Sequence, residues 1–226
     1  MFALKLIYAV VAQAALFGLL LFVPARTLVW PRAWVFIAGV IGATAATMLY
    51  LRNSEALLNE RLKGPVQRGQ PLSDKIVTTV FVLMFFAVIA FIPLDVFRFH
   101  LLGRPGRLMS LFGLGLMVGG WWLVALALHE NAFAVGVVKH QEERHQHVID
   151  SGVYATVRHP MYAGGIPFIL GIGLWLGSYA ATLLALVPIA LMAVRIKIEE
   201  RFLQQQLKGY QAYMERVRYR VIPLFW

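Results

Sequence analysis

Residues 4–23, 30–51, 76–97 and 108–128 are apolar runs of the length a helix needs to cross a hydrocarbon core of about 30 Å, roughly 20 residues each. A fifth run, 161–194, would reach about 51 Å as one straight helix, too long for a single span and enough for two short ones. It reads as a helical hairpin with Gly177-Ser178 near its midpoint as the turn. With 60% of its residues hydrophobic and 14% charged, the chain has no large polar domain to set against these runs. The expected fold is an all-α polytopic integral membrane protein. Residues 1–128 hold four transmembrane helices, and 129–226 hold the hairpin 161–194 and a cytoplasmic tail with an amphipathic helix.

The formal charge of +10 raises the question of nucleic acid. The basic residues, however, lie in short segments between spans, which is a topological signal. With the N-terminus in the cytoplasm, the inside segments carry Lys5, then Arg52, Arg61, Lys63, Arg68 and Lys75, then residues 139–158 and everything from Arg195 onward. The outside keeps Arg26, Arg32, Arg98, Arg104 and Arg107. The partner implied is a lipid bilayer, with no nucleic acid and no obligate protein partner. No small-x-small cleavage site follows the first run, so it is a span and not a signal peptide. The absence of cysteine excludes disulfides, thiolate metal sites and a cysteine nucleophile.

Residues 52–74 form a polar surface loop with a short helix around 54–62, which Asn53 or Ser54 is placed to cap. Leu57, Leu58 and Leu62 give that helix an apolar side to lay on the membrane. Residues 129–157 are a second polar segment, and from Lys197 an amphipathic helix runs to about Leu207 before a break at Gly209. The glycine series Gly113, Gly115, Gly119, Gly120 and Gly171, Gly173, Gly177 lack the spacing of a dinucleotide loop and sit inside spans, where small residues let helices approach closely. His140, His145 and His147, with Glu142 and Glu143, match no metal-binding spacing and read as a solvated loop, so no metal is expected. His129-Glu130-Asn131, at a span terminus, reads either as a hydrogen-bonded interfacial group or as support for the site residues from behind.

Two clusters of polar residues bracket the hairpin: Arg158-His159-Pro160-Met161-Tyr162 before it and Arg195 with Glu199-Glu200 at its end. Polar groups at a membrane edge are costly unless something uses them. Pro160 disfavours helical geometry at His159 and itself suits the first helical position, so a helix starts here. Its first turn is a natural seat for a carboxylate, with His159 and Tyr162 adding side-chain donors at the rim. Arg195 and Glu199, at i and i+4, share a helix face, where they either pair or bind a ligand. Glu200 points about 100° away and is either solvated or paired with a tail arginine.

The pattern Gly152-x-Tyr154-x3-Arg158-His159-Pro160-x-Tyr162-x-Gly164, an apolar hairpin, Arg195-x3-Glu199-Glu200-x2-Leu203, then Tyr210-x2-Tyr213-x3-Val217 and Ile222-Pro223 resembles the isoprenylcysteine carboxyl methyltransferase family over residues 129–226. Residues 53–61 are similar to a loop carried by bacterial members. The resemblance implies a membrane-embedded methyltransferase using S-adenosyl-L-methionine, in a bacterial inner membrane with its cofactor site and both termini cytoplasmic. It implies cofactor contacts at Gln146, His147, Val148, Ile149, Tyr154, His159, Pro160, Met161, Tyr162 and Glu199. It makes Arg195 the substrate-side residue and Arg195 and Glu199 the catalytic pair, with the four N-terminal spans giving access to a lipophilic or prenylated substrate. Lys139 departs from a polar cofactor contact of some members.

A carboxylate acceptor is already ionised at neutral pH and needs positioning, not a strong base. Arg195 could orient such a carboxylate through its planar fork. An amine or a thiol acceptor, as in a phospholipid N-methyltransferase or thiol methyltransferase on the same scaffold, would need a base, with Glu199 or His159 as candidates. From other classes, an NADPH-dependent membrane reductase and a transporter remain as alternatives. The latter sits badly with span centres that carry no ionisable residue.

Overall fold

The computed structural model describes residues 2–52, 54–139 and 141–226. Asn53 as a cap and His140 of the solvated loop therefore lie outside the described residues. Among the described residues all regular structure is helical. In chain order the helices are α1 (Phe2–Ala25), α2 (Pro31–Tyr50), α3 (Glu55–Arg61), α4 (Leu72–Leu94), α5 (Arg107–Glu130), α6 (Pro160–Leu176), α7 (Tyr179–Leu184), α8 (Leu186–Gln206) and α9 (Tyr210–Arg216).

Among the described residues, five segments are long and apolar enough to cross a membrane: Ile7–Ala25, Pro31–Tyr50, Leu72–Phe99, Arg107–Glu130 and Tyr179–Gln206. With the shorter apolar α6, of 17 residues, they make the four spans and the hairpin of a polytopic all-α membrane protein. Leu19, Leu83, Val118 and Trp122 are exposed on these helices, as expected of helices that are hydrophobic all round and solvated by lipid. The second arm of the hairpin differs from expectation in one respect. The apolar run ends at Val194, yet α8 continues unbroken through Lys197 to Gln206, so the amphipathic tail helix is the second half of α8 itself. Nothing between Val194 and Lys197 breaks helical propensity, and a change of polarity alone does not end a helix. After Gly209, whose φ of 86° suits glycine, the additional helix α9 follows.

The chain divides into two compact units, and α4, α5, α6 and α8 each contribute residues to both. One unit comprises residues up to Tyr50, Leu83–Gly119 and Pro167–Val187. Its core gathers Leu21, Phe36, Ile89, Ile92, Ile172 and Leu176, with Phe17 and Phe36 edge to face at 5.2 Å. Helices α5 and α6 meet through glycines: a Cβ on Gly171 would lie 2.8 Å from Met117 Cγ, and one on Gly113 would lie 2.9 Å from the Trp175 backbone N. Gly115 and Gly119 face open space, so only part of the glycine series is used for packing. The hairpin turns at Gly177 (φ 101°) and Ser178, as its sequence suggested. Ser178 Oγ caps α7 by accepting from Ala181 N at 2.9 Å and donates to Asp95 Oδ2 at 2.6 Å.

The second unit comprises Leu51–Val82, Gly120–Ile166 and Pro188–Trp226. Its helix α3 departs from expectation twice. Ser54 stands at the N-cap without a side-chain cap bond, and Leu57 and Leu58 are buried in protein and do not lie on a membrane surface. The polar ends of α3 explain the burial, because they are tied to the segment after α5. Glu60 accepts from Lys139 Nζ at 2.6 Å and pairs with Lys63, and Arg61 Nη1 donates to the Ala134 carbonyl at 3.0 Å. Burial opposes ionisation of Glu60, but the two ammonium groups outweigh it and hold its carboxyl below the usual carboxylate range. Leu207, Tyr210, Tyr213 and Val217 form a small core beneath α9.

Candidate functional site

The second unit contains a cavity of about 480 Å³, a size suited to a small-molecule ligand. Gln146, His147, Val148, Ile149, Tyr154, His159, Pro160, Met161, Tyr162, Arg195 and Glu199 all line it. The residues expected to contact cofactor or substrate thus come, from separate stretches of chain, to one wall or another of a single space, while Glu200 lies outside its lining.

The bracket is held by a buried hub. Glu200, 3% exposed, accepts from Arg158 Nε at 2.8 Å and Nη2 at 2.7 Å. It also accepts from Arg220 Nε at 2.8 Å, and His159 Nε2 lies 3.3 Å from its Oε1. The tail-arginine alternative for Glu200 therefore describes the structure and the solvated one does not. Arg158 further donates to the carbonyls of Val217 and Arg218. The backbone N–H groups of Arg158 and His159 bond to the carbonyls of Tyr219 and Arg220. The tail thus fixes the approach to α6.

Helix α6 starts at Pro160, as its ring chemistry dictates. The N–H of Tyr162 turns back to the His159 carbonyl at 3.1 Å. Pro160 has no N–H, so the first turn offers a ligand fewer donors than an open helix start. The Tyr162 side chain instead donates to Glu199 Oε2 at 2.9 Å, and its ring stands edge-on to His159 at 5.6 Å. Glu199 Oε1 accepts no hydrogen bond among the described residues, and the carboxylate lies within electrostatic reach of Arg195.

Arg195 does not pair with Glu199. Its Nε donates to Asp74 Oδ1 at 2.9 Å and its Nη2 to the Gly136 carbonyl at 2.7 Å, while its guanidinium lies 5.9 Å from the Tyr162 ring centre. The Nε side of the fork is therefore already committed, and the Nη1 end remains for a ligand. Asp74, fully buried, also accepts from Gln70 Nε2 at 2.6 Å, Thr78 Oγ1 at 3.2 Å and Val138 N at 2.9 Å. Sequence reasoning missed Asp74. It lies in the first turn of α4, but the apolar run was read from Ile76, which left it in the loop. An acid at the start of an apolar run, with a lone arginine at the end of another, was the available signal.

The cavity is also lined by Arg61, Thr78 and Phe81 from before residue 129 and by Asn131, Phe133 and Gly136 after α5. Lys139, a lining residue, is matched to Glu60. His147 lies edge-on to Phe133 at 5.1 Å and makes no metal cluster, and no group of metal-ligand side chains occurs among the described residues. Tyr154, Tyr210 and Tyr213 give the cavity its aromatic wall, and burial pushes each phenol above its usual range.

Residues 108–209 match the family model described as phospholipid methyltransferase. The matched stretch takes in α5, the hairpin and most of the cavity wall, and leaves out Arg61, Asp74, Tyr210 and Tyr213. No curated protein matches the chain.

Proposed function

We propose that the cavity binds S-adenosyl-L-methionine and that the protein, acting like an isoprenylcysteine carboxyl methyltransferase, methylates a carboxylate of a lipophilic or prenylated substrate. The observation that carries this reading is the convergence on one cavity of His159–Tyr162, Gln146–Ile149, Tyr154, Glu199 and a restrained Arg195. The match to a methyltransferase family over the same stretch supports it.

The lining suits such a cofactor. Val148, Ile149 and Met161 offer apolar wall, Tyr154 an aromatic face, and Glu199 an oxygen that accepts no hydrogen bond, which fits a cationic group. When bound, the cofactor supplies an electrophilic methyl on a sulfonium. The chain's part is positioning. Asp74 and the Gly136 carbonyl hold Arg195 in one orientation, so its remaining Nη1 end can align an acceptor carboxylate without loss of rotamer freedom. A carboxylate acceptor needs no proton removed, and no base has to be found for it. We assign both termini and the cavity to the cytoplasmic side on the distribution of basic residues, and a bacterial inner membrane on the family resemblance alone.

The description of the matching family favours one further reading, an amine acceptor on a phospholipid. That chemistry needs a base, and Glu199 is better placed than His159, because His159 faces a carboxylate already matched to two arginines. Calorimetry of the purified protein with S-adenosylhomocysteine and with NADPH tests the cofactor, and transfer of labelled methyl to a prenylcysteine acid or to phosphatidylethanolamine tests the acceptor. Absence of S-adenosylhomocysteine binding refutes the methyltransferase reading, and NADPH binding in its place establishes the reductase class.

A further inference from the structure

Among the described residues of the second unit, the most exposed large apolar side chains are on the tail: Leu224, 87% exposed, and Phe225, 83%, with Ile222 beside them. They sit on a built loop. The main-chain oxygen of Trp226 accepts from the N–H groups of Arg220 at 3.0 Å, Val221 at 2.9 Å and Ile222 at 3.0 Å, and the Trp226 N–H returns to the Ile222 carbonyl at 3.0 Å. This closes Ile222-Pro223-Leu224-Phe225 into a tight turn with an apolar tip, and Val221 behind it is buried. Leu224 holds a φ of 66°, in the left-handed region where glycine is the unstrained choice. A leucine kept there at a cost in backbone strain points to a use for its side chain.

The level of this loop follows from backbone bonds. Arg158 N and His159 N donate to the carbonyls of Tyr219 at 2.9 Å and Arg220 at 2.8 Å, and the next residue, Pro160, opens α6, the first arm of the membrane hairpin. The loop therefore stands within a few residues of the point where α6 enters the bilayer. Val29 and Leu108, as fully exposed as the tip, also stand at the ends of spans. The flanking groups suit a lipid interface. Arg218 is exposed and offers the charge that anionic headgroups attract, and the Arg220 guanidinium lies 5.6 Å from the ring centre of the partly exposed Trp226.

We propose that Ile222–Phe225 is an interfacial anchor, with Leu224 and Phe225 seated in the headgroup and acyl boundary of the bilayer at the level of the α6 start. The anchor shares a residue with the site. Arg220 Nε donates to Glu200 Oε2 at 2.8 Å, so the loop that lies on lipid is one bond from the hub that holds Arg158 and His159. This role is independent of the reaction at the cavity.

The chain has no cysteine, so single nitroxide labels can be placed through Leu224→Cys and, as a second position, Phe225→Cys in the full-length protein. Both side chains are exposed, so neither substitution removes packing. In vesicles of phosphatidylcholine and phosphatidylglycerol, power-saturation electron paramagnetic resonance compares the access of oxygen, which partitions into lipid, with that of a water-soluble nickel chelate. Labels at the exposed Glu143, through Glu143→Cys, and at the exposed middle of α5, through Val118→Cys, give the aqueous and hydrocarbon limits. Both tail labels should fall between these limits, at a depth of about 5–10 Å into the boundary, with nickel access well below that of the Glu143 label and oxygen access above it. Nickel access equal to that of the Glu143 label would put the loop in water and overturn the proposal. Low access to both reagents would mean that protein covers the tip, a second copy of the chain included, and would overturn it as well. A depth equal to that of the Val118 label would exclude an interfacial seat.

Discussion

Asp74→Asn should separate the structural and functional parts of the Arg195 site. The side chain it replaces is fully buried and accepts four hydrogen bonds, from Arg195 Nε, Gln70, Thr78 and the Val138 N–H. Asparagine preserves shape and one acceptor oxygen. It turns the other oxygen into a donor facing donors, and it leaves the 13%-exposed Arg195 side chain without its hydrogen-bonded counter-charge. Removing one partner of such a pair costs about 3–5 kcal/mol, mainly the desolvation of the charge left behind. Unfolding in mixed detergent micelles should register that loss, and methyl transfer should fall with it as Arg195 becomes mobile. The double variant Asp74→Asn/Arg195→Met removes the stranded charge and should recover at least about 2 kcal/mol of the single-variant loss while remaining inactive. If the two single-variant costs simply add, or if Asp74→Asn is destabilising by less than about 1 kcal/mol, the coupling argued here is wrong.

Glu200→Gln should destabilise by a comparable roughly 3–5 kcal/mol, because it strands Arg158 and Arg220 together, and should weaken S-adenosylhomocysteine binding through loss of the tail contacts; retained affinity measured by calorimetry would show that the hub does not shape the cavity. Gly171→Ala should cost at least about 1–3 kcal/mol, since its Cβ would meet Met117, whereas Gly115→Ala faces open space and should be neutral or slightly stabilising in the same unfolding assay. The phenols of Tyr154, Tyr210 and Tyr213 are raised in the folded state by burial, so the stability they contribute is fully present below the ordinary tyrosine value of about 10 and is lost as pH rises through the raised values. Absorbance near 295 nm during alkaline titration should therefore show at least these three of the 8 tyrosines still protonated when ordinary tyrosines have ionised; complete titration around pH 10 in the folded protein would contradict their burial. Because the chain has no cysteine, single cysteines introduced at Arg68 and Arg104 report orientation directly, and labelling of the Arg68 site from the periplasm would invert the assigned topology.

The spans, the hairpin and its turn were legible because their signals are local. An apolar run of about 20 residues has one low-energy form in lipid, and Gly177-Ser178 supplies both the positive φ and the helix cap that a tight reversal requires. Pro160 marked the start of α6 for the same kind of reason. The end of α8 was less legible, since polarity changes at Val194 while helical propensity does not. Leu57 and Leu58 showed an amphipathic α3, but periodicity alone does not say whether an apolar stripe meets lipid or protein. The residues expected to contact a cofactor came from the family resemblance and not from local pattern, and all of them line one cavity.

The chain's own order of residues determined that it spans a membrane in helices and that polar groups gather at both ends of one hairpin, because hydrophobic length, proline and glycine act within a few residues. Only the tertiary structure decided which charges meet. Asp74 and Arg195 lie far apart in sequence, as do Arg158 and Glu200, and no local pattern distinguishes an acid that will be buried against a distant arginine from one left in a loop. Pairing is settled by the packing that removes both groups from water, where an unmatched charge is costly and a matched one can persist.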